Sequence, residues 1–416
     1  MKDGNGSGFV EHRLANGLKI VIEPMPHAHS AAGGFLVRTG ARDEVPELAG
    51  VSHFLEHMCF KGTKKRDWKQ ITNDFDDMGS TYNAFTSKER TVYFGWVRVE
   101  DLEKQLELLA DMMQSVVPAE EFEMEKKVIL EEIAMSDDSM ERKVYDLIHD
   151  ALYKGHPLSW PVLGTTDSIT RLSRDELYGY FTDRYHPANM ILIVSGAVEP
   201  AAVIKMAERI CGDWQSKSPR PDRLKPKPVM RGVTKKVIER FQRQAVALIH
   251  PAPSAVHKDR DNADVLASIL GGQNSRFFWN IIQTGVAPQV AAGRLDYCDD
   301  GMMLAYGFIE PDRCDELLEA MRTEIARIVK DGVTEDEVQR VKNRSRTSLA
   351  SESEAPYYRL MQMIQDIDDF DRPRSVTERL ADLDAVTPAT IRSYLERWPL
   401  TSDGAIVSLG PRDWPS

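Results

Sequence analysis

Hydrophobic and polar positions along this chain switch between a period of two and a period near 3.6. The order of the switches is nearly the same in both halves. In the first half, Gly17-Leu18-Lys19-Ile20-Val21-Ile22-Glu23 follows an Asn16-Gly17 turn signal and reads as a strand, with a second strand over 35–38. Helical spacing follows at 48–60, 68–78 and 102–116. A strand pair is expected at 82–85 and 91–97. Helices are expected at 119–135, 141–152 and 174–184, and a closing strand at 189–194. In the second half the pattern predicts strands at 234–239 and 245–250, then helices at 260–270 and 275–284. Strands at 289–296 and 302–308 come next, then helices at 315–329, 335–350 and 388–397, and a last strand at 404–409. The Met-rich patch Met361–Met363 reads as core.

A stretch of different character separates the halves. Residues 216–232 read S-K-S-P-R-P-D-R-L-K-P-K-P-V-M-R-G, rich in Pro and basic residues and poor in apolar ones, as in a stiff, solvated connector. The expected organisation is a domain over 1–217, a linker over 218–231 and a related domain over 232–416. Strands and helices mix without strict alternation, so the fold class is α+β, two homologous domains each with a mainly antiparallel β-sheet flanked by helices. A repeat this long indicates duplication of a domain, not a solenoid.

Composition narrows the function classes. The 416 residues carry a net charge of −12, which argues against nucleic acid as a partner because phosphate binding needs a basic footprint. The four cysteines, Cys59, Cys211, Cys298 and Cys314, are scattered and read as free thiols. Met1 to Gly8 has no apolar core of a secretory leader, and no apolar run is long enough to span a bilayer. The expectation is a cytoplasmic protein with no membrane partner.

The densest chemistry lies at 48–60. On a helical wheel, Leu48, Val51, Leu55 and Met58 share one side, while His53, Glu56 and His57 share the opposite one. Histidines four apart sit one turn above each other and can point at one ion. Zinc accepts neutral imidazoles, and a catalytic zinc takes three protein ligands and keeps one open position. Glu56, between the histidines, is placed to act as general base. The bland reading is two surface histidines on an amphipathic helix; a third ligand would displace it. On the helix 119–135, Phe122, Val128, Ile129 and Ile133 form the apolar side, and Glu125 and Glu132 project from that side. A carboxylate there is costly unless paired or metal-bound. The wheel turns Glu131 away, so Glu132 is the preferred ligand and Glu125 an acid supporting a histidine.

These residues resemble the inverzincin metallopeptidases of the M16 family (pitrilysin, insulysin, mitochondrial processing peptidase), whose mark is H-x-x-E-H. The resemblance spans Gly50 to Thr63, Asn83-Ala84-Phe85-Thr86, Thr91-Val92-Tyr93-Phe94, Glu125 to Ile133, His156-Pro157, Gly164-Thr165 and Tyr185 to Met190. It implies Zn2+ held by His53, His57 and Glu132, Glu56 as catalytic base, Glu125 as supporting acid, and Asn83, Ala84 and Phe85 as a strand edge on which substrate lies. It implies two related halves around a chamber, a short two-domain metalloendopeptidase, and a peptide substrate. The second half matches more loosely, around Leu270-Gly271-Gly272 and Ser275-Arg276-Phe277-Phe278.

The chain also departs from the family pattern. Gly285-Val286-Ala287-Pro288 stands where active relatives often have Gly-Leu-Ala-Tyr. The Arg–Tyr pair that some members use to hold substrate has only Arg294, Tyr297 and Tyr306 as substitutes. Two alternatives follow: the metal-bearing subunit of a heterodimeric peptidase that needs a paralogous partner, or a non-catalytic scaffold subunit of the same fold; the expected protein partner is a second copy of the chain or a paralogous subunit.

Overall fold

The computed structural model describes residues 8–217, 222–401 and 403–415. Residues 1–7 and residues 218–221 of the Pro-rich linker therefore fall outside the described residues.

Two compact units form, and neither is a continuous stretch of sequence. Unit 1 takes Met1–Ala134, Trp160–Leu224 and Ala350–Val376, and unit 2 takes Met135–Ser159, Lys225–Leu349 and Thr377–Ser416. This cuts across the linear division expected at 217 and 232. The reason lies in the sheets, which are apolar on both faces and need a cover on each.

In unit 1 six strands pair: β1 Val10–Arg13, β2 Lys19–Pro24, β3 Ser30–Val37, β4 Thr81–Thr86, β5 Thr91–Arg98 and β6 Met190–Gly196. Their order is β1-β2-β6-β3-β5-β4, antiparallel except for β2 with β6. Alternation along each strand splits its side chains between two cores. Ile20, Ile22, Leu192 and Val194 face the core that holds Val51, Phe54, Leu55 and Met58. Val21, Ile191 and Ile193 face Leu360, Met363, Ile364 and Ile367 of the helix Pro356–Phe370. That helix went unpredicted; only its Met-rich patch was recognised, and Met363 is indeed fully buried.

Unit 2 repeats the scheme with β7 Val233–Val237, β8 Gln244–Pro251, β9 Gln289–Asp296, β10 Gly301–Ile309 and β11 Ala405–Gly410, in the order β7-β11-β8-β10-β9. Again one pair, β7 with β11, is parallel. Val246 and Leu248 of β8 face the helices Arg260–Gly271 and Cys314–Asp331, while Ala245, Ala247 and Ile249 face Val144, Ile148 and Leu152 of the helix Met140–Leu152. The α+β class and the internal repeat hold, with mixed sheets. Helices at 174–184 and 388–397 and the strand at 289–296 keep their expected bounds. The helix expected at 275–284 is a short π-helix, Phe278–Ile282.

The linker is less solvated than its composition suggested. Arg223 is largely covered, and its guanidinium donates to both carboxylate oxygens of Asp43 at 2.9 and 2.8 Å and to Glu89 at 3.1 Å. Arg42 donates at 2.7 Å to Glu89 and at 2.7 Å to the Leu224 carbonyl. Removing one member of a buried ion network leaves its partners desolvated without compensation. Arg223→Ala is therefore expected to destabilise unit 1 by about 3 kcal/mol, read as a lowered midpoint in thermal or urea unfolding.

Candidate functional site

The site begins with how one short helix is started. The pattern predicted a helix from Leu48, but the α-helix runs Val51–Cys59 because Gly50 adopts φ 93°. A Cβ on Gly50 would lie 2.7 Å from the Leu163 carbonyl oxygen, so glycine is required both by backbone angle and by space. Glycine has no side chain to cap the helix. Glu44 substitutes from the preceding loop: its carboxylate accepts from Gly50 N at 2.7 Å and Ser52 N at 2.8 Å. Burial pushes the Glu44 carboxyl up to about 8, against the pull of those two amides.

The helix is then fixed against the long helix Ala119–Asp138. The Phe54 and Phe122 rings stack with centroids 5.0 Å apart at 8°. Both side chains are buried; each contributes about 1.5–3 kcal/mol by burial alone. Ile129 and Ile133 join this core, whereas Val128 is exposed, contrary to its expected place on the apolar side.

This packing brings His53, His57 and Glu132 together, with one ligand atom of each within 4.8 Å of the others. His53 Nε2 and His57 Nε2 each lie 3.7 Å from Glu132 Oε2. That is too long for a hydrogen bond. It is close to the edge of a tetrahedron with metal–ligand bonds of about 2.0–2.1 Å, roughly 3.4 Å. Burial, and then the charge of His57, lower the His53 pKa to about 3 against the pull of Glu125, so its imidazole is neutral. His57 Nδ1 lies 2.8 Å from Glu125 Oε1, which leaves Nε2 as the lone-pair nitrogen facing Glu132. Both Nε2 atoms and a carboxylate oxygen thus converge on one point, and a zinc ion fits that donor set. Glu131 is exposed, as the wheel indicated.

The surrounding groups set the charge balance. Glu125 is buried, and burial alone would raise its pKa; the bonds to His57 and to Lys61, whose Nζ is 2.6 Å from Oε2, outweigh this and lower it. Burial also works against the charge on His57, but Glu125, Glu56 and Glu132 together raise its pKa. Burial raises the Glu56 pKa, opposed by a hydrogen bond from Thr86 Oγ1 to Oε2 at 2.6 Å.

Asn83, Ala84 and Phe85 lie on β4, which bonds to β5 on one side and is the edge of its sheet. Asn83 is exposed and its Oδ1 accepts from Ala84 N at 2.8 Å, while Phe85 packs on Phe94. Thr86, Glu44 and Lys61 escaped the sequence reasoning. Alternation from Tyr82 through Ala84 pointed to Thr86, whereas no periodic signal marks Glu44. In unit 2, Arg294 is held by Asp264 at 2.7 and 2.9 Å and by Asp296 at 2.8 Å. The Tyr297 hydroxyl is bonded to His149 Nε2. Elsewhere, His250 Nε2 lies 2.7 Å from the Thr401 carbonyl, and His156 Nδ1 accepts from Leu158 N at 3.1 Å. Cys59, Cys211 and Cys314 are buried free thiols.

A duplicated α+β frame thus carries an imidazole–imidazole–carboxylate cluster that could hold a zinc ion, beside an open strand edge. Residues 19–166 match the family described as Insulinase (Peptidase family M16), and residues 171–345 match the Peptidase M16 inactive domain. An uncharacterized zinc protease, YmxG, of Bacillus subtilis is 31% identical over 399 residues, covering 95% of this chain and 97% of its own. A protease of Helicobacter pylori has the same fold, with a TM-score of 0.90 at 22% identity, covering 96% of this chain and 99% of its own. A chain of complex III2 from Candida albicans also shares it, with a TM-score of 0.84 at 16% identity, covering 97% and 96%. The chain belongs to peptidase family M16, whose metal is zinc. No helix among the described residues is long and apolar enough to cross a membrane.

The Glu44 cap yields a pH signature. A carboxyl whose folded pKa lies above its unfolded value of 4.5 contributes stability that is complete below pH 4.5 and is lost as pH rises through about 8. Glu44→Gln turns one acceptor toward a backbone amide as a donor, a loss of about 1–3 kcal/mol. In melting curves from pH 5 to 9, the gap between wild type and E44Q is expected to be widest at pH 5 and to narrow as pH rises.

Proposed function

We propose that this chain is a zinc-dependent endopeptidase acting on peptides or unfolded segments, with His53, His57 and Glu132 as ligands, Glu56 as general base and Glu125 as the acid that orients His57. The observation that carries this reading is the convergence of both Nε2 atoms on Glu132 Oε2 at 3.7 Å, with Glu56 on the same helix between the histidines.

Zinc in that position supplies a Lewis acid for the scissile carbonyl and lowers the pKa of water. The chain's residues do the rest. Glu56 takes a proton from water at the site and delivers it to the departing nitrogen; its raised pKa suits both roles. Glu125 holds the His57 tautomer, and Lys61 keeps Glu125 ionised. An extended peptide adds to the free edge of β4 along Asn83, Ala84 and Phe85, bound through main-chain hydrogen bonds that are tolerant of sequence.

One observation favours a second reading, a metal-bearing subunit completed by a paralogous partner. Of the three residues available for holding substrate from unit 2, Arg294 and Tyr297 are engaged by Asp264, Asp296 and His149, and Tyr306 packs on Phe308. Robust peptide cleavage by the purified chain alone would exclude an obligatory partner. The scaffold reading finds less support, since a scaffold has no need of two histidines and two acids so arranged; stoichiometric zinc in the purified chain would exclude it.

Glu56→Gln is expected to lower peptide turnover by about 10²–10⁴-fold while zinc content stays unchanged. Turnover at the wild-type rate by a metal-replete E56Q preparation would refute the assignment. Glu125→Ala is expected to weaken zinc affinity by about 10–100-fold, measured by chelator competition, and chelation should silence the wild type reversibly.

A further inference from the structure

The Glu56 carboxylate has one hydrogen-bond partner among the described residues, and that partner comes from the strand edge. Thr86 Oγ1 donates to Glu56 Oε2 at 2.6 Å, the length of a charge-assisted bond. We propose that Thr86 is the positioning residue for the general base: it ties down Oε2, and Oε1 is left to meet the water. This rests on the reading of Glu56 as the base.

Three features place the Thr86 hydroxyl. Strand alternation aims Tyr82, Ala84 and Thr86 at the same face; Tyr82 stacks on Phe75 with centroids 3.7 Å apart, and Ala84 packs on the core that holds the motif helix. Thr86 also sits on the last rung of the β4–β5 ladder, opposite Thr91. Thr91 is fully buried and its hydroxyl donates to the Thr39 carbonyl at 2.9 Å, so the rung is anchored beneath the site. Finally, a β-branched side chain is stiff at χ1, which suits a residue whose task is to hold another in place.

A glutamate needs such a hold. Its side chain carries up to about 2 kcal/mol of rotamer freedom, and a proton acceptor must be placed to within about 0.5 Å. The helix backbone fixes the Glu56 Cα, but several bonds separate that atom from the reacting oxygen. Thr86 removes this freedom before substrate arrives. It does so from β4, the strand proposed to receive the peptide backbone, so one strand carries both the substrate and the anchor of the base.

The test compares T86V, T86A and T86S in the zinc-loaded full chain, with E56Q and E56Q/T86V as references. T86V and T86A, which lack a donor, should each lose about 10- to 100-fold in kcat, part of what a general base contributes. KM, zinc stoichiometry and melting temperature should stay near wild type. T86S, which keeps the donor, should recover kcat to within about threefold. The double variant should be no slower than E56Q. The inference is overturned if T86V and T86A keep wild-type kcat, if T86S falls as far as they do, if zinc or melting temperature drops in step with kcat, or if T86V slows E56Q further. Should E56Q itself be active, the base assignment fails; an inactive E56Q beside an unaffected T86V refutes only the role of Thr86.

Discussion

Two imidazole nitrogens and a carboxylate oxygen aimed at one point form an arrangement suited to a cation among them. The Nε2 atoms of His53 and His57 face Glu132 Oε2 at distances too long for a hydrogen bond. The local structure supports that concentration of acceptors. Glu44 starts the motif helix where Gly50 cannot, the Phe54–Phe122 stack fixes the spacing of the two helices, and Lys61 with Glu125 settles which His57 nitrogen carries the proton. None of these contacts uses a proposed donor atom, yet each would move one if lost.

The strand edge is the second determinant. β4 pairs with β5 on one side only, and exposed edges of this kind invite another backbone to add. Here the free edge runs past the motif helix, and its terminal threonine reaches the Glu56 carboxylate. In the proposed function, peptide recognition through main-chain bonds and proton transfer through a held glutamate share one short strand. A cavity of about 670 Å³ in unit 1, lined by Arg66, Asp111, Tyr178 and Arg209 among others, includes none of the proposed catalytic or ligand residues.

Much of this was legible in the sequence where local periodicity decides structure. The histidine spacing, the preference for Glu132 over Glu131 and the apolar strands all follow from side-chain direction along regular elements. What escaped depends on contacts between distant segments. Glu44 caps a helix it does not belong to, and nothing in a loop sequence announces that. Val128 was assigned to the buried side from the wheel alone, yet the neighbouring elements leave it exposed. The linker read as solvated because basic residues usually are, but Arg223 meets two acids, Asp43 and Glu89, that lie far away in sequence. The helix Pro356–Phe370 carries a broad apolar face whose partner, the outer face of the first sheet, is encoded at the opposite end of the chain.

That last pairing has a consequence for how the protein is made. Val21, Ala32, Leu36, Ile191 and Ile193 emerge from the ribosome long before Leu360, Met363, Ile364 and Ile367 exist to cover them. At elongation rates of roughly 5–20 residues per second, the first sheet waits on the order of ten seconds with one apolar face bare. During that interval the nascent chain resembles a misfolded protein, sticky and open to capture by chaperones or by its neighbours on the polysome. Completion of the first unit is thus timed by synthesis of the far end of the polypeptide, and a product truncated after the linker would never acquire its second layer.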